Sequence, residues 1–176
     1  MQKTDTELEN VMRKVRIHKV VVNIGVGKSG ESVEKAKEVV KQLVGRNPTP
    51  RRARDTIREF GIRKGEPIGV SVTLRDDYAP EKLKIFLNVK ENRLPQKSFD
   101  EHGNCSFGIK EHIEISGTRY DPGLGIFGLN VSTVLDRPGY RVGRRKRNRS
   151  KVGEKHRVNR DDAVLFFKET LGVEIY

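Results

Sequence analysis

The sequence predicts an α+β fold: a mostly antiparallel sheet with helices packed on one side, plus a basic loop and a basic extended arm. Two observations carry the fold. Apolar residues alternate with small or polar ones in Arg16–Val26, Ile68–Leu74 and Phe127–Leu135, the period-two signature of strands with one buried face. Elsewhere apolar residues recur three and four apart, as on one stripe of a helix. The order is strand, helix, basic hairpin-like segment, strand, helix, strand, strand, basic arm, helix, which suits an antiparallel sheet with its helices gathered on one side. A third observation concerns partners: 36 Lys and Arg stand against 24 Asp and Glu, giving a net charge of +12 and a pI near 10.0.

Residues 1–15 are polar and mixed in charge, a segment expected to be flexible; residues 16–176 are expected to form one domain. In the first strand Val20, Val22, Ile24 and Val26 share one face, and Lys19, Val21, Asn23 and Gly25 the other. Gly27–Gly30 turns, with Ser29 or Ser32 able to cap the helix that follows. Val33, Ala36, Val39, Val40, Leu43 and Val44 form its apolar stripe, closed by Gly45. The Asn47-Pro48-Thr49-Pro50 cluster then blocks any helical continuation. Between Gly45 and Gly65 come Arg46, Arg51, Arg52, Arg54, Arg58, Arg63 and Lys64, opposed only by Asp55 and Glu59. From Ile68 the buried positions are Ile68, Val70, Val72 and Leu74, while Gly69, Ser71 and Thr73 give an exposed face of small side chains.

Arg75–Pro80 leads into a short helix carrying Leu83, Phe86 and Leu87, and Val89–Ser98 reads as loop. Over 103–115 Cys105, Phe107, Ile109, Ile113 and Ile115 share a face, with Glu111 as the exception. After the link Ser116–Gly125, Phe127, Leu129, Val131 and Leu135 point inward from another strand. Asn159 caps the last helix, whose first turn holds Asp161 and Asp162 at the positive dipole end. Ala163, Phe166, Phe167, Thr170 and Leu171 are its inward positions, and Gly172 stops it.

A strongly basic balance favours nucleic acid or another anionic surface. The single Cys105 cannot make an internal disulfide, which favours a reducing compartment. No apolar run approaches the roughly 20 residues of a bilayer span, and the first ten residues lack a signal-peptide core. A soluble intracellular protein is expected, with no membrane partner and no homo-oligomer.

Gly25-Val26-Gly27-Lys28-Ser29-Gly30 fits G-x-G-x-x-G between a strand and a helix, so a small NADP-dependent reductase is the alternative reading. A phosphate loop fails on spacing, since its first glycine would stand at Val22. The dinucleotide reading lacks the acidic residue about 20 positions on, where Gly45–Arg54 offers prolines and arginines instead. The four histidines are dispersed and no zinc spacing exists; His102 beside Cys105 reads as a turn before a strand. No catalytic residue, metal or cofactor is expected.

Arg137–Arg157 holds ten Lys or Arg and one acid, Glu154. It lacks the apolar residues for a core, so it is expected to be an extended arm on a polyanion, with Tyr140 packing against the domain. The first basic stretch alone fits a solvated charged loop as well as a phosphate-binding one.

KVVVNIGVG (19–27), GEPIGVSVTLR (65–75), GNCSFGIKEH (103–112) and YDPGLGIFGLNV (120–131) fall in order, and together resemble the L-five family of large-subunit ribosomal proteins. The arm Arg137–Arg157 followed by Asn159–Gly172 is similar to its archaeal and eukaryotic branch. The resemblance implies a non-enzymatic constituent of the cytoplasmic ribosome, in the central protuberance of the large subunit. By position, Asn23, Arg46, Phe60 and Thr73 match the family's 5S rRNA contacts, Arg46 departing from the glutamine of bacterial members. The loop 51–64, with Arg51, Arg52, Arg54, Arg58, Arg63 and Lys64, maps onto the segment facing P-site tRNA. Arg141, Arg144, Arg145, Lys146, Arg147, Arg149 and Lys151 of the arm 137–157 are assigned to large-subunit rRNA. Neighbouring ribosomal proteins of the central protuberance complete the implied partners. The polar strand faces bearing Asn23 and Thr73, and Phe60 set among arginines, independently suit RNA recognition.

Overall fold

A ten-residue strand whose alternate positions are Val20, Val22 and Ile24 has one dry side and must lie under something apolar. This strand, β1 (Arg16–Gly25), is the middle of the molecule in the computed structural model, which describes residues 10–118 and 121–176. The other elements are α1 (Glu31–Val44), β2 (Thr49–Arg52), β3 (Pro67–Leu74), α2 (Tyr78–Asn88), β4 (Arg93–Leu94), β5 (Cys105–Ile109), β6 (Leu129–Asp136), α3 (Arg141–Arg144), α4 (Arg160–Leu171) and β7 (Glu174–Ile175). The main sheet runs β2-β3-β1-β6-β5, and every neighbouring pair is antiparallel. The fold is α+β, as the sequence predicts.

One face of this sheet presents Val20, Val22, Ile24, Val70, Val72, Leu74, Cys105, Phe107, Ile109, Leu129, Val131 and Leu135, all buried. The stripe of α1 and Ala79, Leu83, Phe86 and Leu87 of α2 close over it; α1 packs on β3 and α2 on β1. Phe167 of α4 adds an edge-to-face contact with Phe99, centroids 5.2 Å apart. The last carbonyls of α1 are met from α2, where the Tyr78 hydroxyl donates to Val44 and Lys82 Nζ donates to Leu43 at 3.1 Å. No helix among the described residues is long and apolar enough to cross a membrane.

Several local expectations need correction. Neither Ser29 nor Ser32 caps α1: Gly30, at φ 111°, is the N-cap, which leaves Ser29 outside the helix and Ser32 within its first turn. The proline cluster ends α1 but does not remain a loop, because Thr49–Arg52 pairs with β3. Pro50 is tolerated there since β2 is an edge strand. The 103–115 alternation breaks at Ile109, followed by a single 3-10 turn, His112–Glu114; His112 turns inward while Ile113 is only half-buried. His112 backbone N–H donates to the Phe127 carbonyl at 3.0 Å and its Nδ1 accepts from Phe127 N–H at 3.3 Å, a lock that alternation alone does not reveal. Val89–Ser98 contributes β4, which pairs in parallel with β7. Thr170 is exposed; Leu171, expected inward, is half-buried, and Val173 just past the helix is buried. Ser71, expected on the exposed face, is 3% exposed because Arg51 lies across it.

Among the glycines of the main sheet, Gly69 leaves the least room for a side chain. A Cβ there would lie 2.7 Å from the Ile24 carbonyl oxygen, a backbone atom held by the β1–β3 ladder. Gly69→Ala is therefore expected to destabilise the fold by about 1–3 kcal/mol, since the sheet must spread to admit the methyl. Urea unfolding of the two proteins measures this, with Gly25→Ala, which meets nothing within 4 Å, as the near-neutral control.

Candidate nucleic-acid interface

The side of the sheet turned away from α1 and α2 is mostly polar and in part exposed. Asn23 stands between Ser71 on β3 and Asn130 on β6, and the row continues to Thr49 on β2 and Gly108 on β5. The next row is Thr73, Val21, Ser132 and Ser106. Ser106 Oγ donates to Ser132 Oγ at 3.2 Å, and Arg51 Nε donates to Ser71 Oγ at 2.5 Å. Asn130, Ser106 and Gly108 are exposed, while Asn23, Thr73 and Ser132 are half-buried. Asn23 and Thr73 are thus neighbours on one face, as strand parity requires. Asn130, Ser132 and Ser106 are absent from the residues that the sequence singles out, although they alternate with the core residues of β5 and β6 and carry the same signal.

Beyond Arg52 the β2–β3 pair continues as a hydrogen-bonded hairpin. Ala53 N–H donates to Glu66 O at 2.8 Å, Gly65 N–H to Ala53 O at 2.9 Å, and Ile57 and Ile62 exchange bonds at 2.9 and 3.1 Å. Lys64 N–H donates to Thr56 Oγ1 at 3.1 Å and Arg63 N–H to Glu66 Oε2 at 3.0 Å. Its tip is the 3-10 turn Arg58–Phe60, closed by Gly61 at φ 66°. Phe60 is 67% exposed there. Arg51 and Arg52 are therefore in β2 at the base, not in the loop; Arg54, Arg58, Arg63 and Lys64 are the exposed cations of the projection. Arg46 lies elsewhere, just past the end of α1, with its guanidinium carbon 4.9 Å from the Tyr78 ring centroid. The four positions carried over from the family accordingly occupy three places: Asn23 with Thr73 on the sheet, Arg46 on Tyr78, and Phe60 at the tip.

The arm is not extended but folded back and tied at both ends. Asp136, at the end of β6, is 1% exposed and accepts from Arg16 Nε at 2.9 Å and Arg144 at 3.2 Å, with His18 Nδ1 at 3.3 Å. At the return, Arg137 and Asp162 form a pair at 2.7 Å with both side chains 9% exposed. The Tyr140 hydroxyl accepts from Val158 N–H at 2.8 Å, so Tyr140 packs as expected. The His156 ring nitrogen Nε2 meets the Pro138 carbonyl at 2.8 Å, and Ser150 N–H donates to Val142 O at 3.2 Å. Arg144 is thus an anchor of the arm. Arg141, Arg145, Lys146, Arg147, Arg149 and Lys151 remain exposed.

The glycine turn has no free donors at its start: Val26 and Gly27 N–H both donate to Ile68 O at 3.0 Å. With β1 antiparallel to both its neighbours, it does not open a parallel βαβ unit, and the reductase reading fails on topology. Cys105 is fully buried, its thiol pushed up to about 12 by burial and then by Asp100, while His102 is exposed; the two form no nucleophile pair. Among the described residues no group of His, Cys, Asp and Glu is placed to hold a metal ion.

Burial, then the Arg144 charge, lowers the pKa of His18, and Asp136 only partly opposes them. The neutral ring accepts from Arg144 at Nε2, 2.8 Å away, and presents Nδ1–H to Asp136. Burial also lowers His112. For both, the unfolded chain takes up the proton first as pH falls, so their stability contribution is complete above about pH 6.5 and is lost below it. Urea midpoints are expected to drop between pH 7.5 and 5.5. Protection of the arm amides, relative to their intrinsic exchange at each pH, should fall over the same range, and His18→Gln should remove that part of the pH dependence while leaving the part due to His112.

Comparison with known proteins identifies the family. Residues 10–63 match the family model described as Ribosomal protein L5, and residues 67–166 match the separate model of that ribosomal family's C-terminus. Large ribosomal subunit protein uL5 of Sulfolobus acidocaldarius is 51% identical over 175 residues, covering 99% of this chain and 98% of the relative. The proteins of the same name from Pyrobaculum aerophilum and Nitrosopumilus maritimus are 52% and 44% identical, covering 93% and 95% of this chain and 92% and 96% of theirs. Matched in both halves and along nearly its whole length, the chain belongs to the ribosomal protein L5 family.

Proposed function

We propose that this large-subunit ribosomal protein binds 5S rRNA through the open sheet face, helps attach that RNA in the central protuberance, and reaches P-site tRNA with the 53–66 hairpin. The arm meets large-subunit rRNA, and neighbouring ribosomal proteins border the assembly. The chain works by binding and not by catalysis. The observation that carries this reading is the set of small polar residues on the helix-free face of the sheet, Thr49, Asn23 and Asn130 in one row and Thr73, Ser132 and Ser106 in the next, together with two basic projections. Small side chains let an RNA loop approach the backbone, and the Asn23 amide offers both donor and acceptor to a base edge or a 2′-hydroxyl. Phe60 supplies a bare aromatic face for stacking, with Arg58 and Arg63 close in sequence for phosphate. The exposed cations of the arm supply the sequence-independent part of the affinity.

Asn23→Ala and Thr73→Ala are each expected to cost about 1–3 kcal/mol of 5S rRNA affinity by leaving a desolvated partner unpaired. Neither truncation removes core surface, so thermal unfolding should stay nearly unchanged. Equal affinity for wild type and both variants would remove the sheet face from the interface.

The projections are expected to divide the labour. Arg54→Ala, Arg58→Ala and Arg63→Ala combined should leave 5S binding within a few-fold and shorten P-site tRNA retention. Arg145→Ala, Lys146→Ala and Arg147→Ala combined should lower occupancy on the subunit and flatten the salt dependence of rRNA binding, by roughly 0.7–0.9 in log–log slope per lost phosphate contact. The same defect in both variants would show that no such division exists.

A further inference from the structure

Where the arm returns to the domain it frames a cavity of about 700 Å³. Its floor is apolar, from Tyr140, Val152 and Val158, and His102 stands at its edge. Its rim carries Arg149, Lys151 and Arg157, all exposed, and among the described residues none of these forms an ion pair within 4 Å. The walls are braced. The turn bearing His102 is held by Asp100 Oδ1, which accepts from His102 N–H at 2.9 Å and Asn104 N–H at 2.7 Å. Gly103 lies so close to Val158 that a Cβ would meet its Cγ1 at 2.5 Å. Tyr140 is held through its hydroxyl on Val158 N–H, with the Arg144 guanidinium carbon 5.7 Å and the His156 ring 6.0 Å from its ring centroid.

We infer that this cavity holds one unstacked nucleotide of single-stranded RNA, with the base on the Tyr140–Val152–Val158 floor and its phosphates on Arg149, Lys151 and Arg157. The volume lies in the range of small-ligand pockets, about 300–1,000 Å³. An apolar slot under uncompensated cations suits a planar base with a polyanionic backbone, and it excludes a paired base, whose edge and faces are already engaged. A free mononucleotide would need only the slot. Arg145, Lys146 and Arg147, exposed and just before Arg149 in the chain but not lining the cavity, add further positive charge, which favours a nucleotide within a strand. This rests on the assignment of the arm to rRNA and adds the form of RNA it takes.

The test uses the full chain and a short single-stranded RNA carrying one 5-iodouridine, alone or annealed to its complement, with photocrosslinks mapped by mass spectrometry. Crosslinks to Tyr140 or His102 are expected with the single strand and not with the duplex. Val152→Phe fills the slot without changing charge; it should abolish these crosslinks and weaken single-strand binding about tenfold, leaving duplex affinity unchanged. His102→Ala, at an exposed position that does not endanger folding, should lower the yield of the Tyr140 crosslink. Crosslinks confined to other regions, or unaltered by both variants, overturn the inference while leaving rRNA binding by the arm intact. Displacement of the strand by micromolar uridine monophosphate would overturn it in favour of a free-nucleotide site. A wild-type chain that binds neither RNA would overturn both this inference and the reading beneath it.

Discussion

Everything in this molecule hangs on the sidedness of β1. It is hydrogen-bonded on both edges, to β3 and β6, so its register is set twice. A slip by one residue would carry Val20, Val22 and Ile24 to the open side and drive Asn23 under α1 and α2, exchanging roughly 1.5–3 kcal/mol per apolar side chain for a buried amide. The hydrophobic effect on one face therefore fixes which polar groups appear on the other. The candidate RNA surface is a by-product of the core.

The second constraint is the pair of buried carboxylates, Asp136 and Asp162. A lone buried charge is very costly, so each must be matched, and each is matched by an arginine from the arm. A stretch of ten cations cannot pack on itself, and its one internal acid, Glu154, is not enough to hold it. Acids from the domain take up Arg137 and Arg144, and the chain between and beyond them stays outside with its charges unspent. This divides one basic run into anchors and exposed cations. The anchoring at Asp136 also passes through a neutral His18, which ties the arm to a titratable ring.

The two basic projections differ in construction. The 53–66 hairpin continues the sheet and is stiffened by its own backbone bonds, ending in Phe60 at a turn that needs Gly61 in the left-handed region. The arm carries little regular structure beyond α3 and depends on side-chain ties to β1, β6 and α4. A rigid projection suits a partner that must be met at a set distance. A tied loop suits a surface it can follow.

The alternation of β1, β3 and β6 and the stripe of α1 are legible in the sequence because period and burial are local properties of a chain facing one core. The polar face follows from the same parity, which puts Asn23 and Thr73 on the open side, and the +12 charge points to a polyanion. Tertiary contacts decided the rest. The two-residue strands β4 and β7 are too short to show a period, and they exist because distant segments meet. Thr49–Arg52 became a strand because β3 offered an unpaired edge, which moved Arg51 and Arg52 out of the loop and buried Ser71 beneath Arg51. His112 replaced Ile113 in the interior because its ring and backbone close on Phe127. The arm reads as extended from its composition alone, since the acids that fold it back, Asp136 and Asp162, lie outside the basic run itself. Sequence determined which faces are dry and what charge the surface bears. Which cations remain free was settled only by the pairing of residues far apart in the chain, because a charge finds its partner in space.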